Sequence, residues 1–291
     1  MSARLRAVAA ETTEIMRRGG YRTPDGSWVD LADQVAAAVA GTRLHLPDEP
    51  LPDLGEPARA PRVEVTGEST LAAAARLGEG TAALVFASAR NPGGGFLTGA
   101  RAQEEDVARA SALYACLTSV PEFYAHHRAA RDLRYTDRVI YSPGVPVFRD
   151  RHGRLLDRPY RTALLTAAAP NLRALLRNRP DLAATVPAVL RDRALRVLRV
   201  AAAHGHRRLV LGAWGCGVFG NSPAVVAEAF AVALARAGTF DEVVFAVLGR
   251  DADAPNRRAF ADRFPARPAP GPEPPVSWAG TPTGRSRPAS P

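Results

Sequence analysis

The stretch "NPGGGFLTGARAQEED", residues 91–106, sets three consecutive glycines seven residues ahead of Gln103, Glu104 and Glu105. Glycine runs cost conformational entropy, so Gly93, Gly94 and Gly95 imply that something bulky lies against their backbone. Their N–H groups, with the N-terminus of a following helix, make an anion cradle. A second reading stays open at this point. Asn-Pro-Gly is ordinary turn chemistry, and a flexible surface turn needs no ligand. The spacing fits neither G-x-x-x-x-G-K-[ST] nor G-x-G-x-x-G, which sets aside the P-loop and the dinucleotide fingerprint.

Glu104, Glu105 and Asp106 also admit two readings. Acidic residues in the first turn of a helix favour the macrodipole, by a few tenths of a kcal/mol each. A catalytic role asks for a carboxylate shielded from water beside a ligand, where a raised pKa lets it act first as acid and then as base. Consecutive helical residues point about 100° apart. They are not the facing pair of an ordinary glycosidase, whose carboxyls stand roughly 5 to 9 Å apart across the substrate. One of the two would do the chemistry while the other orients a hydroxyl.

A third element, "GAWGCGVFGN" at residues 212–221, follows a buried strand and precedes a helix, with Asn221 or Ser222 as its cap. This second glycine loop offers a diphosphate clamp and, in Phe219, a ring on which a base can stack. Trp214 reads instead as a core aromatic.

These stretches need a scaffold, and the chain supplies one. Leu5, Val8, Ala9, Thr12, Ile15 and Met16 fall on one face of a first helix stopped by Gly19 and Gly20. "YRTPDGSWV" predicts a hairpin, "LADQVAAAVAG" a second helix, and residues 47–61 a proline-rich connection. From Arg62 strands alternate with helices. "VEVTGE" is a strand, and Ser69 caps a helix ending at Leu77. "AALVFASA" is an apolar run expected of a central strand covered on both faces. "EEDVARASALYACLTSV" reads as one helix, and two strands flank a turn at residues 150–153. A long helix over 181–204, a strand in "RRLVLGAWG", a helix over 223–236 and a strand in "DEVVFAVLG" complete the pattern. Such alternation predicts a three-layer α/β domain with a largely parallel or mixed sheet. Residues 265–291 hold nine prolines and almost no aliphatics, the composition of a disordered tail.

Composition narrows the partners. The formal net charge is +9, but every basic residue is arginine and they are spread along the chain, which argues against a dedicated nucleic-acid patch. An anionic substrate suits that charge. No stretch approaches the roughly 18 apolar residues of a membrane span, and no secretion signal is evident. Cys116 and Cys216 cannot build a disulfide framework, so the expected setting is cytoplasmic, with no membrane partner. The six histidines and two cysteines show no ligand spacing, so no metal or cofactor is expected.

Taken together, the two glycine loops and the carboxylate pair resemble a known family. "GGGFLTGARAQEE" fits the GGG-x7-QEE motif of poly(ADP-ribose) glycohydrolases, and "GCGVFGN" resembles the diphosphate loop of macrodomains, the fold those enzymes use. "LVFASARNPGGGF", "YAHHR", "VIYSPGVPVFRD" and "LVLGAWGCGVF" are similar to the compact bacterial type, over about residues 1–264. The resemblance implies a three-layer α/β/α macrodomain-like fold with a mixed central sheet and an N-terminal helical extension. It divides the chain into an extension at 1–61, a catalytic domain at 62–264 and the tail at 265–291. It also implies exo-type hydrolysis of the inter-ribose bond of poly(ADP-ribose), releasing ADP-ribose. Glu105 becomes the acid/base and Glu104 the residue that fixes ribose hydroxyls. Gly93, Gly94 and Gly95, with Gly215, Cys216, Gly217, Val218 and Phe219, hold the diphosphate. Phe219 stacks on adenine, Asn91 contacts the terminal ribose, and Gln103 joins the substrate-binding set. Two other classes share parts of this pattern. A non-catalytic ADP-ribose reader has no need of the QEE. A hydrolase of mono-ADP-ribosylated protein or nucleic acid would keep all of it.

Overall fold

The sequence folds around a seven-stranded sheet, seen in a computed structural model that describes residues 2–55, 60–249 and 254–266. The expected tail lies outside the described residues from position 267 onward. Chain order begins with α1 (Ala3–Arg18), β1 (Gly20–Arg22), β2 (Trp28–Asp30), α2 (Ala32–Gly41), β3 (Arg43–His45), β4 (Arg62–Thr66), α3 (Thr70–Leu77) and β5 (Thr81–Phe86). It continues through α4 (Gln103–Ala110), α5 (Leu113–Thr118), α6 (Pro121–Ala130), β6 (Val139–Arg149), β7 (Leu155–Ala167) and α7 (Leu172–Asn178). The last elements are α8 (Val186–Ala203), β8 (Arg208–Leu211), α9 (Pro223–Leu234), β9 (Glu242–Ala246) and α10 (Pro255–Arg263).

The sheet runs β3-β6-β7-β5-β8-β9-β4. Strands β7, β5, β8, β9 and β4 pair in parallel, while β6 runs antiparallel to β7 and β3 antiparallel to β6. The central strand β5 explains its own sequence. Ala82 and Leu84 enter one apolar cluster with α8, α9 and Phe260 of α10; Ala83 and Val85 enter another with α1, α2, α3 and α5. A strand buried on both faces gains nothing from alternation, hence the continuous apolar run.

Local signals fix several boundaries. Ala9, Thr12 and Ile15 are the buried stripe of α1, and Gly19 ends it in the left-handed conformation at φ 73°. β1 and β2 form the hairpin, in register Tyr21↔Val29. The Ser69 side chain accepts from the Ala72 N–H at 3.3 Å, capping α3.

The helix expected after Glu104 is broken in two. Ser111 is extended at φ −144° and bridges to Val147, and the Ala112 N–H donates to the Pro146 carbonyl at 3.0 Å. Pairing with β6 takes the backbone groups that a continuous helix would need. The helix expected over 181–204 starts later, at Val186, preceded by a 3-10 segment at Pro180–Thr185. Pro187 fits the first turn of α8 but nowhere deeper. The N-terminal segment is tied into the domain: β3 edges the sheet, and Thr12 Oγ1 donates to the Arg109 carbonyl at 2.8 Å. Among the described residues no helix is long and apolar enough to cross a membrane.

Candidate active site

β5 and β8 are parallel neighbours, so the loops that follow them leave the same edge of the sheet side by side. A Cβ on Gly212, at the start of the second loop, would meet Phe86 at the end of β5 at 2.9 Å and the Ala246 carbonyl oxygen at 2.7 Å. The contact sets the starts of the two loops side by side.

The first loop answers why three glycines precede QEE. Gly93 and Gly94 sit at φ +66° and +57°, where L side chains are strained. A Cβ on Gly94 would lie 2.5 Å from Glu105 Oε1 and 3.0 Å from Glu104 Oε2; one on Gly95 would lie 2.5 Å from Ala100 Cβ. What presses against this backbone is the protein's own pair of carboxylates. The Gly95 N–H donates to Glu105 Oε1 at 2.8 Å, and the Ser88 N–H donates to Glu104 Oε2 at 2.6 Å. Ser88 Oγ in turn accepts from the N–H groups of Arg90 and Asn91 at 3.3 and 3.2 Å, turning the chain out of β5. Asn91 is exposed at the lip.

The two glutamates differ in surroundings. Glu104 is 2% exposed, and its Oε1 has no hydrogen-bond partner among the described residues. Burial, with a smaller contribution from the charge of Glu105, holds its carboxyl well above the usual carboxylate range; the Ser88 N–H opposes the shift. Glu105 is 8% exposed and is the more open of the two. Tyr124, on α6, is buried at 1% with its hydroxyl unpartnered among the described residues. Burial and then the Glu104 charge push that hydroxyl well above the phenol range.

The Gln103 amide bonds the strand and helix beside it. Its Oε1 accepts from the Phe86 N–H at 2.8 Å, and its Nε2 donates to the Leu84 carbonyl at 2.8 Å and Thr70 Oγ1 at 2.9 Å. The amide is spent stitching the start of α4 to β5, which fixes where the next two residues point. Asp106 faces outward to Arg109, whose own guanidinium donates to the Ala100 carbonyl at 2.8 Å and pins the end of the glycine loop.

In the second loop Trp214 is a core residue, 1% exposed, with Nε1 donating to the Ala167 carbonyl at 2.9 Å. Gly215 is at φ +73°, and a Cβ there would meet Asn221 Nδ2 at 2.5 Å. Asn221 does not cap α9. Its Nδ2 donates to the Pro170 carbonyl at 2.8 Å and the Gly215 carbonyl at 3.2 Å, closing the loop on itself. Ser222 occupies the N-cap without a side-chain bond, and Pro223 starts the helix. Burial pushes the half-buried Cys216 thiol up to about 12. Gly217 and Val218 are exposed at the tip, and Phe219 is half-buried, 6.0 Å from the Tyr135 ring.

His127 bonds Thr136 through Nε2, and His204 and His206 lie around Tyr141, ahead of the start of β8. Among the described residues no group of three or more His, Cys, Asp or Glu side chains is placed to hold a metal.

A mixed sheet between two helical layers, with two glycine loops leaving the same edge and two carboxylates beneath the first of them, defines a hydrolase on a macrodomain-like fold. Residues 9–150 match the family description "Microbial-type PARG, catalytic domain", PARG being poly(ADP-ribose) glycohydrolase. The crystal structure of the Thermomonospora curvata poly(ADP-ribose) glycohydrolase is 53% identical and superposes with a TM-score of 0.84, over 90% of this chain and 100% of that one. The same enzyme bound to the inhibitor ADP-HPD is 54% identical with a TM-score of 0.81, over 90% and 100%. The Deinococcus radiodurans enzyme, in complex with ADP-ribose, is 44% identical with a TM-score of 0.75, over 82% and 99%. No curated protein sequence matches the chain. The chain belongs to the microbial-type poly(ADP-ribose) glycohydrolases. It is a glycoside hydrolase acting on poly(ADP-ribose).

Proposed function

We propose that the chain removes ADP-ribose from the end of the polymer, with Glu105 as general acid and base and Glu104 as the holder of ribose hydroxyls. The observation that carries the assignment is the seating of Glu105 on the Gly95 N–H, under a glycine loop that has no room for a side chain. Glu104, whose burial raises its carboxyl well above the usual carboxylate range, can in its protonated form donate a hydrogen bond to a hydroxyl through its unpartnered oxygen. Once Glu105 has given up its proton, a protonated Glu104 avoids a second negative charge beside it.

The reaction then balances without a metal. Glu105 gives its proton to the 2′-oxygen of the departing ribose as the inter-ribose C–O bond breaks. The oxocarbenium-like centre is stabilised by the substrate's own diphosphate, held against the two glycine loops at Gly93, Gly94, Gly95, Gly215, Cys216, Gly217 and Val218. The Glu105 carboxylate takes a proton from water as the water attacks, and ADP-ribose leaves. Phe219 stacks on the adenine and Asn91 contacts the terminal ribose. Glu105→Gln is the test. The amide keeps the shape but cannot cycle a proton, so turnover of purified polymer disappears while calorimetry finds ADP-ribose affinity within about tenfold. A variant that retains a large fraction of wild-type rate removes Glu105 from the role.

A further inference from the structure

One face of α1 lies on the loop that seats Glu105. Ser2, at the helix cap, shares that face with Arg6 and Ala9. The Ser2 N–H donates to the Gly99 carbonyl at 3.2 Å, and Ala9 packs with Phe96 and Ala108 in one apolar cluster. Gly99 is at φ +77°, and a Cβ there would meet the Ser2 carbonyl oxygen at 2.5 Å and Arg6 Cγ at 3.0 Å. The stem of Arg6 thus rests on the loop. The residue is nonetheless exposed, and its guanidinium has neither a hydrogen-bond nor a carboxylate partner among the described residues. Arg101, just past the same loop, is exposed and equally without a partner among them. It follows Ala100, whose carbonyl accepts from Arg109 at 2.8 Å and is fixed by that bond.

The two carboxylates are anchored from opposite ends of that loop. Glu104 takes the Ser88 N–H, on the side of Asn91. Glu105 takes the Gly95 N–H, and a Cβ on Gly95 would meet Ala100 Cβ at 2.5 Å and Thr98 Oγ1 at 3.3 Å. With the terminal ribose held by Glu104 and Asn91, the oxygen that Glu105 protonates lies toward residues 95–101. That oxygen is the 2′-oxygen of the next nucleoside, and the 5′-carbon of the same sugar carries the next diphosphate of the polymer. A diphosphate brought so near a carboxylate is repelled unless cations offset the charge. Arg6 and Arg101 supply two on that side, one from the N-terminal helix and one from the step into α4. Arginine suits the task, since its planar fork matches phosphate oxygens.

We propose that Arg6 and Arg101 form a second anion subsite, which holds the diphosphate of the polymer unit on the leaving side of the scissile bond. The subsite rests on the acid/base role given to Glu105 above, and it makes α1 part of substrate recognition. The test uses the full chain carrying Arg6→Gln, Arg101→Gln, both changes together, or Arg6→Lys. It measures steady-state hydrolysis of purified polymer over a series of salt concentrations, ADP-ribose affinity by calorimetry, and the melting temperature. Each glutamine change is expected to raise KM for polymer about fivefold with kcat unchanged, and the double change about twentyfold. Each lost phosphate contact should also flatten the slope of log KM against log salt by about 0.7. ADP-ribose affinity stays at the wild-type value, because the monomer has no unit beyond the scissile bond. Arg6→Lys keeps the charge and recovers most of the loss. An unchanged polymer KM and salt slope for the double variant overturns the proposal, and with Glu105→Gln inactive it leaves the acid/base reading standing. A loss of ADP-ribose affinity equal to the loss for polymer also overturns it, by placing the arginines at the terminal unit. So does a fall in kcat and melting temperature with KM unmoved, the mark of a helix brace. A Glu105→Gln enzyme that keeps its rate takes the leaving side away from this loop, and the subsite with it.

Discussion

Gly94→Ala tests the crowding beneath the glycine loop most directly. A methyl group there meets Glu105 Oε1 at 2.5 Å, where ordinary contact begins at 3.4 Å. The carboxylate, or the loop, must therefore move by about 0.9 Å, and the bond from the Gly95 N–H goes with it. Displacement on the order of 1 Å at a reacting group costs about a hundredfold in rate. Stability falls as well. The left-handed backbone costs an alanine about 1–2 kcal/mol, and a weakened hydrogen bond to a carboxylate adds about 1.5 kcal/mol or more. For a chain of this size that total lowers the melting temperature by roughly 5–12 °C, which leaves the protein folded at 25 °C. Gly144→Ala separates the two effects. Gly144 is at φ +50° with nothing within 4 Å of a Cβ, so it carries the backbone strain without the clash. The expected result, read as ADP-ribose released from purified polymer, is a kcat reduced about a hundredfold for Gly94→Ala and unchanged for Gly144→Ala. A Gly94→Ala enzyme within a few-fold of wild type, or equal losses for both variants, would refute the argument.

Gly217 decides whether the second loop is a cradle or a turn: a Cβ there meets nothing within 4 Å, so Gly217→Ala leaves the melting temperature alone. Calorimetry should find ADP-ribose binding weakened about tenfold where a diphosphate lies against that backbone, and an unchanged value would make the loop a surface turn. Gln103→Ala strips three partly buried hydrogen bonds from β5 and α3, and should lower stability by about 2–3 kcal/mol in chemical denaturation. A melting temperature and denaturation midpoint equal to wild type would return Gln103 to the substrate. Glu104 gives a pH signature. Its folded pKa is raised, so its stabilising contribution is complete below the unfolded carboxylate range and is lost as pH rises through the folded value. Glu104→Gln should therefore be more stable than wild type at pH 8, with the gap closing toward pH 4; a gap that widens on acidification contradicts the upward shift.

Much of this protein is written locally. The stripe Ala9, Thr12 and Ile15, the Gly19 stop, the Pro-Asp-Gly hairpin and the Ser69 cap each depend on residues within a turn or two of one another, and each stands where periodicity and capping chemistry put it. The apolar run of β5 announced a strand covered on both sides, because burial on two faces erases alternation. The GGG-x7-QEE spacing marked the crevice for a related reason: a left-handed glycine and a carboxylate ten residues on are both visible as residue types. Long-range pairing is what the chain alone does not display. β3 is three residues long and is a strand only because β6 offers an edge. Ser111 interrupts a good helical pattern only because Val147 is there to pair with it. Gln103 and Asn221 carry side chains fit for a ligand or a cap, and their partners, Phe86 and Leu84 for one and Pro170 and Gly215 for the other, are chosen by where the strands end. Tyr135 reads as an unremarkable loop residue until the α6–β6 connection is packed against the second glycine loop. Local interactions are set by sequence separation, whereas a buried polar atom takes whichever partner the assembled sheet brings within 3 Å, and that geometry exists only once the chain has folded.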